Sequence, residues 1–189
     1  MTSPRFLIGA PKRLDAPQTR RSHSAAISRP PPTQIHGICV GGGLEIAALC
    51  DFRICGESSR FGVPIKNLGL VVAYAEMAPL VRLAGPDVAL EILLEGRIFD
   101  AAEAKEKRLV TRVVADDQVA TEAMATAQRV ADGAPLVARW HKKFARRLAD
   151  PRPLTDAERD ECFDCFDTED FRVGYAAFLA KLKPEFVGR

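Results

Sequence analysis

Three consecutive glycines followed by a carboxylate give this sequence its clearest potential for chemistry. Gly41, Gly42 and Gly43 follow a short apolar stretch, and Leu44 and Glu45 come directly after them. Glycine permits unusual backbone angles and lets a ligand approach the peptide N–H groups closely. The start of a helix adds a positive partial charge at the same point. This pattern predicts a site that stabilises an oxyanion or binds phosphate, with Glu45 as a candidate general acid or base.

Two familiar phosphate-binding loops do not fit this stretch. A Walker loop places Lys and then Ser or Thr after its glycines, whereas here Leu44 and Glu45 follow. The dinucleotide fingerprint needs a different glycine spacing. A pocket for a developing negative oxygen therefore remains. The same residues also suit a purely structural turn, because the helix dipole favours a Glu in the first turn without any catalysis.

The glycines lie between elements that would hold them in place. The apolar residues at positions 35–40 predict a strand before the turn, and residues 44–50 predict a helix after it. Asp100 and Glu103 have the spacing of an N-terminal helix cap. Further strands are predicted at residues 52–55, 61–63 and 109–114, and further helices at residues 76–83, 86–94, 117–131, 135–148, 155–166 and 168–182.

Composition limits the classes of protein that this chain could represent. It has 189 residues, of which 47% are hydrophobic and 28% charged, as expected for one globular domain. No apolar run approaches the roughly 20 residues that a membrane-spanning helix needs. A net charge of +2 does not argue for nucleic-acid binding. Five cysteines favour a reducing compartment over a disulfide scaffold, so we expect a cytoplasmic protein.

The first 34 residues differ from the rest of the chain. They carry a net charge of +5, whereas the remainder carries −3, and they contain several prolines without a sustained helix or strand period. This composition fits a disordered or non-native leader. An organellar transit peptide is the alternative, although the prolines would interrupt its amphipathic helix. We therefore divide the chain into a leader (1–34), a core (35–115) and a C-terminal helical region (116–189).

The segment GICVGGGLEIAALCDFRICGESSRFGVP, residues 37–64, resembles the crotonase superfamily, the enoyl-CoA hydratase/isomerase family. The resemblance continues through EGRIFDAAEAKEKRLVTRVV, residues 95–114, and TEDFRVGYAAFLAKLKPEF, residues 168–186. It implies an α/β fold built as a spiral of ββα units. Residues 35–115 would form part of that core, incomplete at its N-terminal side, and residues 116–189 the helical region that builds trimers.

The resemblance also implies a substrate carried as a coenzyme A thioester. Gly42 matches a position whose backbone N–H holds the thioester oxygen while an enolate forms, and Gly41 and Gly43 would line the same substrate site. Glu45 matches the first of the two glutamates of the hydratases. Lys181 and Lys183 lie in the C-terminal segment that in the family runs near the CoA phosphates, although each also fits a solvated charge on a helix.

The same resemblance sets the expected partners. They are an acyl-CoA substrate and copies of the same chain in a homotrimer or hexamer, with no nucleic acid and no membrane. No cofactor beyond the CoA thioester is expected, and no metal. Cys162 and Cys165 form a CxxC pair in a predicted helix. Because a zinc site needs about four ligands, we interpret them as packing residues.

Several positions depart from the family pattern. Ile65 stands in the substrate site where the second hydratase glutamate would fall, and an aliphatic side chain cannot transfer a proton. Tyr74 and Glu76 fall near the acyl pocket, and either could replace the lost acid, although each also fits a structural role. Arg108 stands where the family has a helix-ending glycine, which predicts strain if that backbone is left-handed.

The N-terminal side is the largest departure. Family members carry a half-domain before the strand at residue 35, including a loop that supplies the first oxyanion N–H. Residues 22–28, SHSAAIS, resemble that loop only faintly, since its Gly and Asp are absent. We expect the family's first half to be missing from this sequence.

Two functions of different class remain open. The first is an acyl-CoA enzyme with Glu45 as its acid or base, and enoyl-CoA hydratase is the label that fits it best. The loss of the second carboxylate would move its chemistry towards isomerisation, decarboxylation or hydrolysis. The second is a non-catalytic crotonase-like remnant or assembly subunit that keeps the trimer-forming helices. The residues leave open whether the chain is an active enzyme.

Overall fold

The structure, a computed structural model, describes residues 32–189. The segment resembling an oxyanion loop and most of the predicted leader lie outside these residues. Within this range the chain forms six strands and eight α-helices. The strands are β1 Pro32–Ile35, β2 Ile38–Val40, β3 Phe52–Gly56, β4 Arg60–Gly62, β5 Phe99–Asp100 and β6 Arg112–Val114. The helices are α1 Gly42–Ala47, α2 Tyr74–Ala84, α3 Pro86–Glu95, α4 Ala101–Glu106, α5 Val119–Ala131, α6 Pro135–Leu148, α7 Asp156–Asp160 and α8 Glu169–Ala180.

The strands form two small sheets that position the glycine turn. The first has the order β1-β3-β6, and all of its strands are parallel. The second has the order β2-β4-β5, with β2 parallel to β4 and β5 antiparallel to β4. Val40 pairs with Gly62 at the end of the β2–β4 ladder. The turn after β2 therefore starts beside the end of β4.

The main hydrophobic core lies beneath α1. Leu44 is fully buried and belongs to one cluster with Phe61, Val63 and Leu80, so the helix after the glycines is anchored to β4 and to α2. The rings of Phe61 and Phe99 stack with centroids 6.4 Å apart. Burying one such side chain contributes about 1.5–3 kcal/mol. This packing holds the start of α1 in one position.

Two polar contacts fasten the C-terminal helices. Lys142 of α6 forms an ion pair with Asp51, just after α1, at 2.6 Å. The buried carboxylate of Asp170 on α8 accepts hydrogen bonds from the backbone N–H groups of Val187 and Gly188, at 2.7 and 3.0 Å. The chain end is thereby tied to the first turn of α8. No helix in residues 32–189 is both long and apolar enough to span a bilayer.

The predicted elements differ from the observed ones in a few places. The strand predicted at residues 109–114 is confined to β6, because the Leu109 N–H donates to the Ala104 carbonyl at the end of α4 and not to a neighbouring strand. The helix predicted at residues 155–166 is α7 followed by a 3-10 helix, Glu161–Asp167. Thr168 closes that segment, since its N–H and its hydroxyl both donate to the Cys165 carbonyl. β1 begins three residues before the predicted start of the core.

Candidate active site

The glycine turn is fixed by backbone hydrogen bonds on both sides. The Gly41 N–H donates to the Gly62 carbonyl at 2.8 Å, and the Gly41 carbonyl accepts from the N–H groups of Leu44 and Glu45 at 3.0 and 3.2 Å. Gly41 has φ 56° and ψ −126°, a backbone conformation that residues other than glycine rarely adopt. α1 begins directly after it, at Gly42. The turn therefore connects β2 to α1 in a defined geometry.

Two backbone donors at this turn face open space. No acceptor in the described part of the chain takes the N–H of Gly42 or of Gly43, as expected for the first turn of a helix. A Cβ placed on Gly42 would meet no atom within 4 Å. Both residues are exposed. Such an arrangement can donate hydrogen bonds to an oxygen atom of a ligand, which is the requirement for stabilising an oxyanion.

Glu45 provides an unpaired carboxylate one helical turn from these donors. It is half-buried, and within residues 32–189 its side chain has neither a hydrogen bond nor an ion pair. Burial raises the pKa of Glu45 above its ordinary value, and the negative charge of Glu76 raises it further. A carboxylate with a raised pKa and no competing partner is suited to accept a proton and return it.

Glu76 is the second carboxylate at this site. It lies in the first turn of α2, where its Oε2 accepts a hydrogen bond from the Ala73 N–H at 3.1 Å. α1 and α2 contact each other, and their buried residues Leu44 and Leu80 share the main core. Tyr74, the other sequence candidate for the lost acid, is 93% exposed at the start of α2.

Ile65 lies in a 3-10 helix, Pro64–Leu68, and packs against the core. The next residue, Lys66, donates from Nζ to the Leu94 carbonyl at 2.8 Å and so ties this segment to the end of α3. The position at which the hydratase pattern has its second glutamate is thus an apolar packing site. A second proton-transfer group would have to come from another position.

Cys39 lies beneath the turn, where its buried thiol is poorly suited to act as a nucleophile. Its Sγ would be 4.0 Å from a Cβ on Gly43. Burial raises the pKa of the Cys39 thiol to about 11, so the thiol stays protonated near neutral pH. Cys162 and Cys165 lie on the 3-10 helix before α8, and their thiols donate to the carbonyls of Arg159 and Cys162.

Arg53 supports the other end of α1 and was not singled out in the sequence analysis. Its side chain is buried, with Nε donating to the Leu109 carbonyl at 2.8 Å and an Nη donating to the carbonyls of Ala47 and Cys50. Burial lowers the pKa of its guanidinium. The signal available in the sequence was an arginine between the apolar residues Phe52 and Ile54 of a predicted strand.

The remaining sequence candidates lie in other parts of the fold. Lys181 ends α8 with a left-handed backbone, φ 56°. Lys183 forms an ion pair with Asp132 after α5, at 3.2 Å, and is 73% exposed. Neither lysine contacts the glycine turn through a hydrogen bond or ion pair within the described residues. Arg108 has φ 60°, which confirms the left-handed conformation expected of a glycine position.

Comparison with known proteins identifies the family. Residues 25–189 match the enoyl-CoA hydratase/isomerase family. The chain belongs to this family. A probable enoyl-CoA hydratase from Rhizobium meliloti is 37% identical over 172 residues, covering 88% of this chain and 66% of the relative. A crotonyl-CoA hydratase from Syntrophomonas wolfei is 32% identical, covering 87% of this chain and 64% of the relative.

Solved structures of the family share the fold. An enoyl-CoA hydratase/carnithine racemase from Magnetospirillum magneticum superposes with a TM-score of 0.82 at 52% identity, covering 88% of this chain and 62% of that one. A family protein from Hyphomonas neptunium gives a TM-score of 0.81 at 34% identity, covering 88% of this chain and 64% of that one. The expected crotonase-like α/β fold is confirmed. The chain spans slightly less than two thirds of the length of each of these relatives.

In the described residues, no group of three or more His, Cys, Asp or Glu side chains is arranged to hold a metal ion. The chemistry that the site itself offers is that of two backbone donors and two carboxylates.

Proposed function

We propose that this chain acts on an acyl-CoA thioester, whose enolate it stabilises at the glycine turn with Glu45 as acid or base. The observation that carries the proposal is the proximity along one short helix of two N–H groups, those of Gly42 and Gly43, and the half-buried carboxylate of Glu45. Within residues 32–189, none of these three groups has a hydrogen-bond partner. Membership of the enoyl-CoA hydratase/isomerase family supports the choice of a CoA thioester as substrate.

The proposed chemistry follows from these groups. The thioester oxygen accepts a hydrogen bond from the Gly42 N–H, and negative charge develops on that oxygen when a proton leaves the adjacent carbon. One such donor typically contributes about 3–4 kcal/mol to transition-state stabilisation. The raised pKa makes Glu45 a stronger base than an ordinary carboxylate. No cofactor beyond the CoA part of the substrate is required.

The surroundings of the turn suit the two ends of such a substrate. Exposed apolar side chains follow β4 at Leu68, Leu70 and Val71, and they offer a surface for an acyl chain. Lys181 and Lys183 could offer positive charge to the CoA phosphates. The exposed ion pair of Lys183 with Asp132 is worth at most about 1 kcal/mol, so a phosphate can displace it.

The reaction that follows enolate formation depends on the second acid. Because Ile65 is apolar and packed against the core, the standard two-glutamate hydration cannot use that position. Isomerisation, decarboxylation and thioester hydrolysis remain as candidate outcomes. The first two pass through the thioester enolate, and hydrolysis passes through a tetrahedral intermediate, but each places negative charge on the thioester oxygen that the same donors can hold. We propose a cytoplasmic location, in keeping with the cysteine composition.

A second candidate, an assembly subunit without catalysis, is favoured by a different observation. A row of exposed aromatic rings runs along the C-terminal helices, and neighbouring centroids are 5.0–6.3 Å apart. Exposed apolar patches of this kind mark protein–protein contacts. We propose that the row mediates self-association as a homotrimer or hexamer. The row consists of Phe163, Phe166, Phe171 and Tyr175.

One experiment separates the two candidates. Calorimetric titration of the full chain with butenoyl-CoA measures binding, and turnover of the same compound is followed in parallel. For the enzyme we expect saturable binding, and we expect Glu45→Gln to abolish turnover while binding changes less than about threefold. Glu106→Gln, an exposed carboxylate on α4, is the matched control and should leave both unchanged. No binding and no turnover in a folded, self-associated protein would favour the assembly subunit.

A further inference from the structure

The 3-10 helix at Glu161–Asp167 carries a sequence that repeats every three residues. It reads ECFDCFD, so an acidic residue, a cysteine and a phenylalanine return in the same order. A 3-10 helix has three residues per turn, so side chains three positions apart lie directly above one another. The segment therefore has three faces. One carries the thiols of Cys162 and Cys165, one the rings of Phe163 and Phe166, and one the carboxylates.

The phenylalanine face shows this alignment directly. The rings of Phe163 and Phe166 are stacked, with centroids 6.3 Å apart and planes inclined by 21°. Cys162 and Cys165 have the same spacing one residue earlier, so their Cα atoms lie about 6 Å apart, the rise of three residues at about 2 Å each. Cysteines joined by a disulfide usually have Cα atoms about 4.4–6.8 Å apart. The two thiols are therefore within reach of a covalent bond.

Both thiols point towards the preceding turn of the chain. The Cys162 thiol donates to the Arg159 carbonyl, and the Cys165 thiol donates to the Cys162 carbonyl, each at 3.2 Å. Cys165 is thus drawn towards the backbone of Cys162. Its own carbonyl accepts from the Thr168 hydroxyl at 2.7 Å, which fixes it beside the start of α8. Cys162 is exposed and Cys165 is half-buried, so a reagent in solution reaches Cys162 first.

The other thiols in the chain are in different surroundings. Cys39 and Cys55 are buried, and burial raises the pKa of each thiol to about 11, so both stay protonated near neutral pH. Cys50 is half-buried, and no cysteine lies three residues from it. These three thiols provide an internal comparison for the pair.

We propose that Cys162 and Cys165 form a reversible disulfide site whose oxidant is a small-molecule disulfide such as oxidised glutathione. The inference stands independently of the proposed function. In a reducing compartment such bonds are usually transient and redox-sensing, and exposed disulfides are the labile ones. The thiols lie about a third of a turn from the stacked rings, so oxidation does not require access to the aromatic face.

The oxidation proceeds in two exchange steps. Cys162 loses its thiol proton to water, and its sulfur attacks one sulfur of oxidised glutathione, so the glutathione disulfide breaks and one glutathione thiolate leaves. Cys165 then loses its proton and attacks the Cys162 sulfur, so the intrachain disulfide forms and the second glutathione leaves. The protein loses two protons and two electrons, and oxidised glutathione becomes two molecules of glutathione.

The test uses the full reduced chain and oxidised glutathione. After incubation the remaining thiols are blocked with N-ethylmaleimide, and tryptic peptides are analysed by mass spectrometry without reduction. Cleavage after Arg159 and Arg172 releases residues 160–172, which contain both cysteines of the pair and no other. The variant is Cys165→Ser, which removes the second thiol. Cys50→Ser, which removes a half-buried thiol outside the pair, is the matched control.

In the wild type and in Cys50→Ser, we expect residues 160–172 to become lighter by two hydrogen atoms and to escape the blocking reagent, and dithiothreitol should restore both thiols. In Cys165→Ser, glutathione on Cys162 should persist at least about tenfold longer than in the wild type, because the resolving thiol is absent. Stable glutathione on both cysteines of the wild type, an unmodified pair, or a disulfide only between two chains would overturn the proposal.

Discussion

At the residue scale, Gly41 and Gly42 are adjacent, but glycine suits each position for a different physical reason. Gly41 has a positive φ that a side chain would strain, whereas Gly42 has an ordinary helical backbone and open space around its Cβ position. The first glycine is required by the backbone conformation of the turn, and the second leaves the space beside the N–H groups open.

Alanine substitutions separate these two roles. Gly41→Ala should lower the free energy of unfolding by about 1–3 kcal/mol, through backbone strain. Gly42→Ala should leave stability unchanged or raise it by up to about 1 kcal/mol, since alanine favours helix. Its methyl group would nevertheless enter the space in front of the donors and weaken acyl-CoA binding at least tenfold. Urea unfolding and calorimetric titration check both variants, and equal effects on stability would contradict the distinction.

The raised pKa of Glu45 predicts a pH-dependent stability. Because the folded-state pKa is raised above the ordinary 4.5, the neutral form is favoured in the native state. The contribution of Glu45 to stability is therefore present below pH 4.5 and is lost as the pH rises through the folded-state pKa. We expect Glu45→Gln to gain stability relative to the wild type across that window. Urea unfolding from pH 4 to pH 8 measures it, and a constant difference between the two proteins would contradict the raised pKa.

At the element scale, α1 is held at its end as well as at its start. Leu44 anchors its first turn in the core. The buried Arg53 donates to the carbonyl of Ala47, the last residue of α1, and to that of Cys50, three residues beyond it. Arg53 also reaches the Leu109 carbonyl, 56 residues further along the chain. The helix that carries the candidate site is thereby fixed to the strand region before β6.

Removing the Arg53 guanidinium should weaken the attachment of α1 to the rest of the fold. Arg53→Met keeps most of the side-chain volume but removes the guanidinium donor from the Leu109 and Cys50 carbonyls, so the free energy of unfolding should fall by about 2–4 kcal/mol. Arg82→Met on α2, an exposed arginine, is the matched control and should stay within about 0.5 kcal/mol of the wild type. Chemical denaturation followed by circular dichroism compares the two, and similar small effects would contradict the supporting role of Arg53.

The sequence predicts elements more readily than their environments. The order strand, glycines, helix follows from local residue types, as does the α6 range, which begins on a proline. The raised pKa of Glu45 depends first on its burial and then on the charge of Glu76 on α2, and Arg53 bonds to a carbonyl 56 residues away. The 3-10 helix at Glu161–Asp167 has a composition that also suits an α-helix. Contacts between distant segments decide these features, and a single sequence does not display them.

At the scale of the whole molecule, the aromatic row on the C-terminal helices predicts self-association. Tyr175→Asp places a charge among exposed rings, so its cost to the folded monomer is small and its cost to an interface is large. We expect the wild type to sediment as a trimer or hexamer and Tyr175→Asp to shift towards monomer. Leu94→Asp, an exposed apolar site on α3, controls for added charge. A wild-type chain that stays monomeric at tens of micromolar would contradict this assembly.

The central claim is that the glycine turn and Glu45 together form the enolate of an acyl-CoA thioester. Deuterium incorporation into the α-carbon of butyryl-CoA in D2O tests it most directly, because it reports enolate formation whichever overall reaction the protein performs. We predict time-dependent incorporation with the wild-type chain and a loss of at least 100-fold in Glu45→Gln. Equal incorporation by the two proteins, or none by a wild-type chain that binds the thioester, would contradict the account.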